Sequence, residues 1–258
     1  MTETAAMDII RAEWSAAWKD AVRIWSPYVQ LRDPLFCETE EQESAAGLAS
    51  SFAMIRLNDF TVVLSLRQIM KNGLSGFPLE IMAHEAGHHV YCPADLADLG
   101  RMIGRIQSAI PGYTQHAAMI GNLYGDLLIN DRLFREHGLR MDEVYRKIKD
   151  PDCDRFWNFY MRTYEILWAL PELTLTGAMV ETETTGDAIL AARIVRNFSR
   201  DRIRGAGEYA AVCYRYLLES AEPDSKIGLW MDATEPGDGT TIPAGLAAID
   251  RDEAAEGS

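Results

Sequence analysis

The chain has 258 residues, 48% of them hydrophobic and 25% charged, which is ample for one generous domain or two small ones with a substantial core. A net charge of −14 argues against nucleic acid or an anionic membrane surface as a partner. Cys37, Cys92, Cys153 and Cys213 lie far apart with no C-x-x-C pair, so neither a disulfide framework nor a zinc ribbon is indicated.

The first residues, Met1 to Asp8, are acidic and lack the basic and apolar regions of a signal peptide. No apolar run approaches the length of a membrane span, so a cytoplasmic protein is expected. Met7, Ile10, Trp14, Trp18, Ala21 and Trp25 recur every three or four residues and predict an amphipathic helix of about five turns, ended by Ser26-Pro27. Its tryptophan stripe is read as core packing. Residues 37 to 47 are acidic and read as a solvated loop or helix start. Phe52 to Leu57 and Thr61 to Leu66, joined by Asn58-Asp59-Phe60, predict a β-hairpin. Such a hairpin could bind an extended peptide along a free strand edge, or simply cover the core.

The next stretch carries the chemistry. Gly76-Phe77-Pro78 reads as a loop entering a helix, with Pro78 near the first helical position, where a missing N–H costs nothing. Leu79, Ile81, Met82, Ala86 and Val90 supply its apolar surface, and Cys92-Pro93 closes it. Within it, His84-Glu85-Ala86-Gly87-His88 matches H-E-x-x-H. Histidines four apart on a helix lie roughly 40° apart around its axis, one turn above the other, so both imidazoles reach one metal ion. Glu85, on the adjacent flank, is placed to touch a metal-bound water. Two imidazoles and one carboxylate leave a fourth position open on Zn²⁺, as in a catalytic site.

A helix is predicted over 94–109, ended by Ile110-Pro111-Gly112, and another from about Tyr113 to Arg135. On the second, Asn122, Asp126 and Asn130 form a polar line at i, i+4, i+8 on an otherwise apolar element. A zinc ion would satisfy that line, with Asp126 as third ligand and the asparagines donating hydrogen bonds that orient ligands or substrate.

These motifs resemble those of the zincin metallopeptidases. The downstream acidic ligand on a second helix matches the gluzincin and aspzincin arrangement, and Asn122-x-x-x-Asp126-x-x-Ile129-Asn130 looks most like metallopeptidase domains found in bacteria beside von Willebrand A-type and MoxR-type ATPase partners. The resemblance covers about residues 50–135. It departs at Asn122, where the common gluzincin pattern carries glutamate. Asp126 is therefore the expected third ligand, with Asp131, Glu165, His116 and His89 as alternatives. Tyr124 is a candidate transition-state donor, though a structural tyrosine is the better reading. His137 reads as a helix C-terminal residue before a glycine cap.

Residues 142–149 predict a short helix and Arg155 to Leu170 a central buried one, whose Glu165 should find a cation or hydrogen-bond partner. Residues 181–187 read as a polar turn, Asp187 to Phe198 as a helix, and Gly207 to Ser220 as a last helix. Arg193, Arg196, Arg200, Arg202 and Arg204 form a basic patch, most simply a solvated face and otherwise a carboxylate-binding subsite. Residues 222–258 are acidic, with only Lys226 and Arg251 opposing, and read as an irregular tail, either linker or docking segment.

The expectation is a predominantly helical α+β domain over residues 1–221, zincin-like, with a small hairpin sheet beside the H-E-x-x-H helix. The resemblance implies a zinc metalloendopeptidase that hydrolyses peptide bonds through zinc-bound water, with His84, His88 and Asp126 as ligands and Glu85 as general base. The alternatives are a catalytically silent zincin-like binding module and a narrowly specific regulatory protease acting on one partner protein.

Overall fold

A computed structural model describes residues 3–48 and 51–219; the acidic tail of residues 222–258 lies outside them. The described chain is mostly helical, with ten α-helices and one three-stranded sheet. It is an α+β arrangement dominated by helix. No described helix is long and apolar enough to cross a membrane.

Helix α1, Glu3–Trp25, buries Trp14 and Trp18 of the predicted stripe and packs the half-buried Trp25 against the core. Trp14 donates from Nε1 to the Ser75 carbonyl at 3.1 Å and Trp25 to the Ala83 carbonyl. Each of these two indoles thus satisfies its one donor while packing its apolar body against the core.

Strands β2, Ala53–Arg56, and β3, Thr61–Ser65, form the predicted antiparallel hairpin, with Met54 opposite Val63. A third strand that the pattern did not announce, β1 over Leu35–Cys37, adds parallel to β3. The order β1-β3-β2 leaves β2 at an edge. That edge is not offered to solvent. Ala53, Met54 and Ile55 are buried, and the Ser51 hydroxyl both donates to the Ala53 carbonyl at 2.6 Å and accepts from its N–H at 3.3 Å. The covering role is therefore the one these contacts favour.

The acidic stretch after β1 is ordered as α2, Glu40–Ala46, capped by the Thr39 hydroxyl at the Gln42 N–H. Its Glu43 turns inward and accepts from the Ser65 hydroxyl and the Arg67 guanidinium, which ties α2 to the start of α3, Leu66–Lys71.

Helix α4, Pro78–Val90, begins at the expected proline. It crosses α1 and α6, Ala117–His137, at Gly87, where a Cβ would come within 2.5 Å of the Trp25 ring and 2.8 Å of Ile129. The glycine inside the motif thus permits the close approach of three helices.

Helix α5, Leu96–Ala109, is capped by Asp95, and a 3-10 turn over Thr114–His116 delays the start of α6 by four residues beyond the expected Tyr113. Short α7, Met141–Lys147, and buried α8, Arg155–Leu167, follow. The expected polar turn at residues 181–187 is instead the opening of α9, Thr182–Asn197. Its first turns are solvated and held by ion pairs, Glu183 with Arg215 at 2.6 Å among them, so they carry no apolar period to read. Helix α10, Arg202–Glu219, likewise starts before Gly207. One buried apolar cluster runs from Met7 in α1 to Leu217 in α10.

Candidate metal centre

The i, i+4 spacing on α4 places the His84 and His88 rings edge to face, with their Nε2 atoms 3.3 Å apart. From α6, Asp126 brings Oδ1 to 3.3 Å from His88 Nε2 and 3.6 Å from His84 Nε2. Three ligands held 2.0–2.1 Å from one tetrahedral ion are separated by about 3.3 Å. The observed triangle has that size. Asp126 Oδ1 is buried and accepts no hydrogen bond, and a lone pair left so in a dry interior calls for a cation. Among the described residues, His84, His88 and Asp126 are the group of histidine, cysteine and acid side chains close enough to hold a metal ion, and all three are buried.

The other atoms of these ligands are committed in ways that fix their orientation. His88 Nδ1 lies 3.0 Å from the Cys92 carbonyl, which can only accept, so Nδ1 carries the proton and the lone pair is at Nε2. His84 Nδ1 lies 2.7 Å from Asn130 Oδ1. The Asn130 amide is oriented by its other end, where Nδ2 donates to the hydroxyls of Tyr145 at 2.8 Å and Tyr164 at 2.9 Å. Oδ1 therefore faces the imidazole and leaves the His84 lone pair also at Nε2, on the side of Asp126. Tyr145 donates onward to Tyr164 at 3.0 Å, and Tyr160 and Tyr164 share a bond of 3.0 Å. Burial, with Asp126 nearby, pushes the Tyr164 hydroxyl far above its ordinary range, so it stays protonated. Asn122 donates to Asp126 Oδ2 at 3.3 Å.

Asn122 and Asn130 of the polar line on α6 each hydrogen-bond one member of the triangle, and the expected pattern needs one correction. Asn122 acts as a donor, but Asn130 meets His84 through its carbonyl oxygen and gives its donors to tyrosines. A neutral imidazole with Nδ1 protonated needs an acceptor there.

Glu85 is 1% exposed and lines, with His84, Phe52, Asn130, Met141, Val144 and Tyr145, a recess of about 20 Å³, room for roughly one water. Its walls are mostly apolar.

The other expected candidates fall elsewhere. Asp131 pairs with Arg135 at 3.4 Å. Glu165 accepts from the Leu175 and Thr176 N–H groups at 2.7 and 3.1 Å and pairs with Arg162 at 2.9 Å. His89 packs on Phe60 with Nδ1 3.2 Å from the Ala94 carbonyl, and His116 lies beside Gln115. The Tyr124 hydroxyl abuts Gly205 of α10, so its role is packing. His137 is exposed just before Gly138, which caps α6 in the left-handed conformation. Cys92, Tyr145 and Tyr164, which complete the site, carried no recognisable spacing in the sequence.

Burial pushes the Asp126 carboxyl from 3.8 up to about 7, against a smaller opposing pull from His84. An acid whose pKa is raised by folding binds more protons folded than unfolded between these values. Its contribution is therefore present below about pH 4 and lost as pH rises to about 7, at up to roughly 1.4 kcal/mol per pH unit. Chelator-treated protein should lose stability across this window relative to Asp126→Asn, and saturating Zn²⁺ should reverse the trend. Denaturant titrations at several pH values check this; parallel profiles for the two proteins would place the carboxyl in a wet environment.

No family model, no curated protein and no solved structure matches the chain.

Proposed function

We propose that this protein is a zinc-dependent metallopeptidase of zincin type. The observation that carries the reading is the buried triangle of two imidazole nitrogens and one carboxylate oxygen, sized for a tetrahedral ion, with a glutamate adjacent on the same helix. His84, His88 and Asp126 would hold Zn²⁺, a fit that two neutral imidazoles and a carboxylate favour over Mg²⁺ or Ca²⁺. When bound, the ion supplies Lewis-acid polarisation of a carbonyl and of water. Glu85 takes the proton of the attacking water and later delivers it to the leaving amine. Asn130, backed by Tyr145 and Tyr164, holds the His84 tautomer; Asn122 holds Asp126; and the apolar walls of the recess keep bulk water away.

The size of the recess favours a second reading beside the first. Among the described residues the recess beside Glu85 has room for about one water, far less than a peptide needs. A narrowly specific regulatory protease acting on one partner protein fits so small a recess, as does a catalytically silent binding module. The ATPase or von Willebrand A-type partner implied by the zincin resemblance belongs with these readings.

Metal removal tests the zinc assignment. Purified protein should contain about one zinc per chain, cleave members of a fluorogenic peptide library, stop on treatment with phenanthroline and recover on readdition of Zn²⁺. Cleavage that persists without metal would sink the assignment. Zinc binding with no cleavage of any library peptide would leave the partner-specific protease and the silent module, which a metal-dependent cut in a captured partner protein would tell apart.

A further inference from the structure

About half a turn around α6 from Asp126, the helix presents Asp131, Arg132 and Arg135 to a different opening. This cleft, of about 630 Å³, lies between α6, the end of α4, the last turn of α9 and the loop into α10. Its volume falls within the range typical of small-molecule sites. Five guanidinium groups line it, those of Arg132, Arg135, Arg196, Arg200 and Arg202, against the carboxylates of Asp131 and Glu136. Three positive charges are left over in a chain whose net charge is −14.

The internal pairings explain only part of the cluster. Arg132 pairs with Glu136 at 3.0 Å and Arg135 with Asp131 at 3.4 Å, while Arg196 is 4.0 Å from Asp131 and donates to the Leu167 carbonyl. Among the described residues, no carboxylate lies within ion-pair distance of Arg200 or Arg202. The lining of the cleft therefore keeps more basic than acidic side chains, and Asp201, between Arg200 and Arg202 in the chain, accepts from the Arg204 N–H at 3.4 Å and makes no ion pair with either arginine. Arg132 and Arg202 also lie 4.9 and 5.1 Å from the centre of the same ring, Tyr91, whose hydroxyl is anchored on the Ser199 carbonyl at 3.2 Å and whose ring stacks with Trp25. Two like charges are thus held beside one fixed aromatic surface, which organises the forks before any ligand arrives.

We propose that this cleft binds the phosphate group of a small phosphorylated molecule or free inorganic phosphate, with Arg200 and Arg202 as the principal contacts. A phosphate carries nearly two charges on tetrahedral oxygens that accept from several guanidinium forks at once, and so matches the excess better than a single carboxylate does. The site faces away from the metal triangle and stands whether or not the protein is a peptidase.

The test is calorimetry on the full chain at constant ionic strength, with orthophosphate, glycerol 3-phosphate and acetate as probes. The two phosphates should bind saturably and acetate should not. Equal affinity for the two phosphates would assign the site to free phosphate, and tighter binding of the ester to a phosphorylated metabolite. The double variant Arg200→Gln/Arg202→Gln, with an unchanged circular dichroism spectrum, should bind at least about a hundredfold more weakly, roughly tenfold for each guanidinium–phosphate hydrogen bond removed. Undiminished binding in the variant would overturn the proposal by moving the anion elsewhere, the metal ligands included. Absence of phosphate binding would overturn it as well. If the double variant then changed the rate at which a protease cuts beyond Glu219, the chain's own acidic segment would be the occupant instead.

Discussion

On the proposed mechanism, Glu85→Gln should remove most of the hydrolysis while leaving the zinc content unchanged. The substitution preserves size and the capacity to hydrogen-bond, and removes only the ability to accept and return a proton. Glu85 is not among the three side chains whose ligand atoms converge, so the metal should bind the variant as before. Its carboxylate lies in a recess lined by Phe52, Ile81, Met141 and Val144 beside His84, a setting in which a displaced proton has few other destinations. Loss of a positioned general base lowers turnover by about a hundred- to ten-thousand-fold, and the fall should appear in kcat. Metal analysis alongside the kinetics makes the result decisive. Full activity would remove Glu85 from the mechanism, and joint loss of zinc and activity would make it a structural residue.

What could be read in advance was whatever depends on local spacing. Pro78 marked the start of α4, the histidine pair marked the side of it that meets Asp126, and the four-residue repeat of Asn122, Asp126 and Asn130 marked the facing side of α6. Two such helices packed at Gly87 are enough to bring the ligands together. Features that depend on distant partners left no such trace. Tyr145 and Tyr164 reach Asn130 from 15 and 34 residues away, and nothing in their own neighbourhoods distinguishes them from core tyrosines. Cys92 contributes a carbonyl, which every residue has. Strand β1 is three residues long and gains its identity from β3, too short for an alternating pattern of its own. The opening turns of α9 are helical without an apolar face, because ion pairs and solvent stand where a core would otherwise impose its period.

Asp126→Asn should have opposite effects with and without metal, which makes it the sharper test of the ligand set. With zinc, the variant lacks the anionic ligand. Removing even an outer hydrogen-bond partner of a metal ligand weakens binding ten- to a hundredfold, so loss of the ligand itself should cost well over about a hundredfold. The zinc-dependent rise in melting temperature should shrink accordingly. Without zinc, the wild-type carboxyl is buried with one oxygen unpaired, and above about pH 7 it must ionise in that dry setting. The asparagine amide is nearly isosteric and neutral, and it can donate toward the imidazole nitrogens that lie 3.3 and 3.6 Å from Oδ1 while its oxygen still accepts from Asn122. The metal-free variant should therefore melt no lower than the metal-free wild type at about pH 8, and higher if the carboxyl is as dry as its surroundings suggest. A residue conserving only the fold would behave otherwise, with the amide destabilising both forms and zinc raising both melting temperatures equally. That result would dissolve the triangle as a metal centre, because Asp126 Oδ1 would then have no cation to serve.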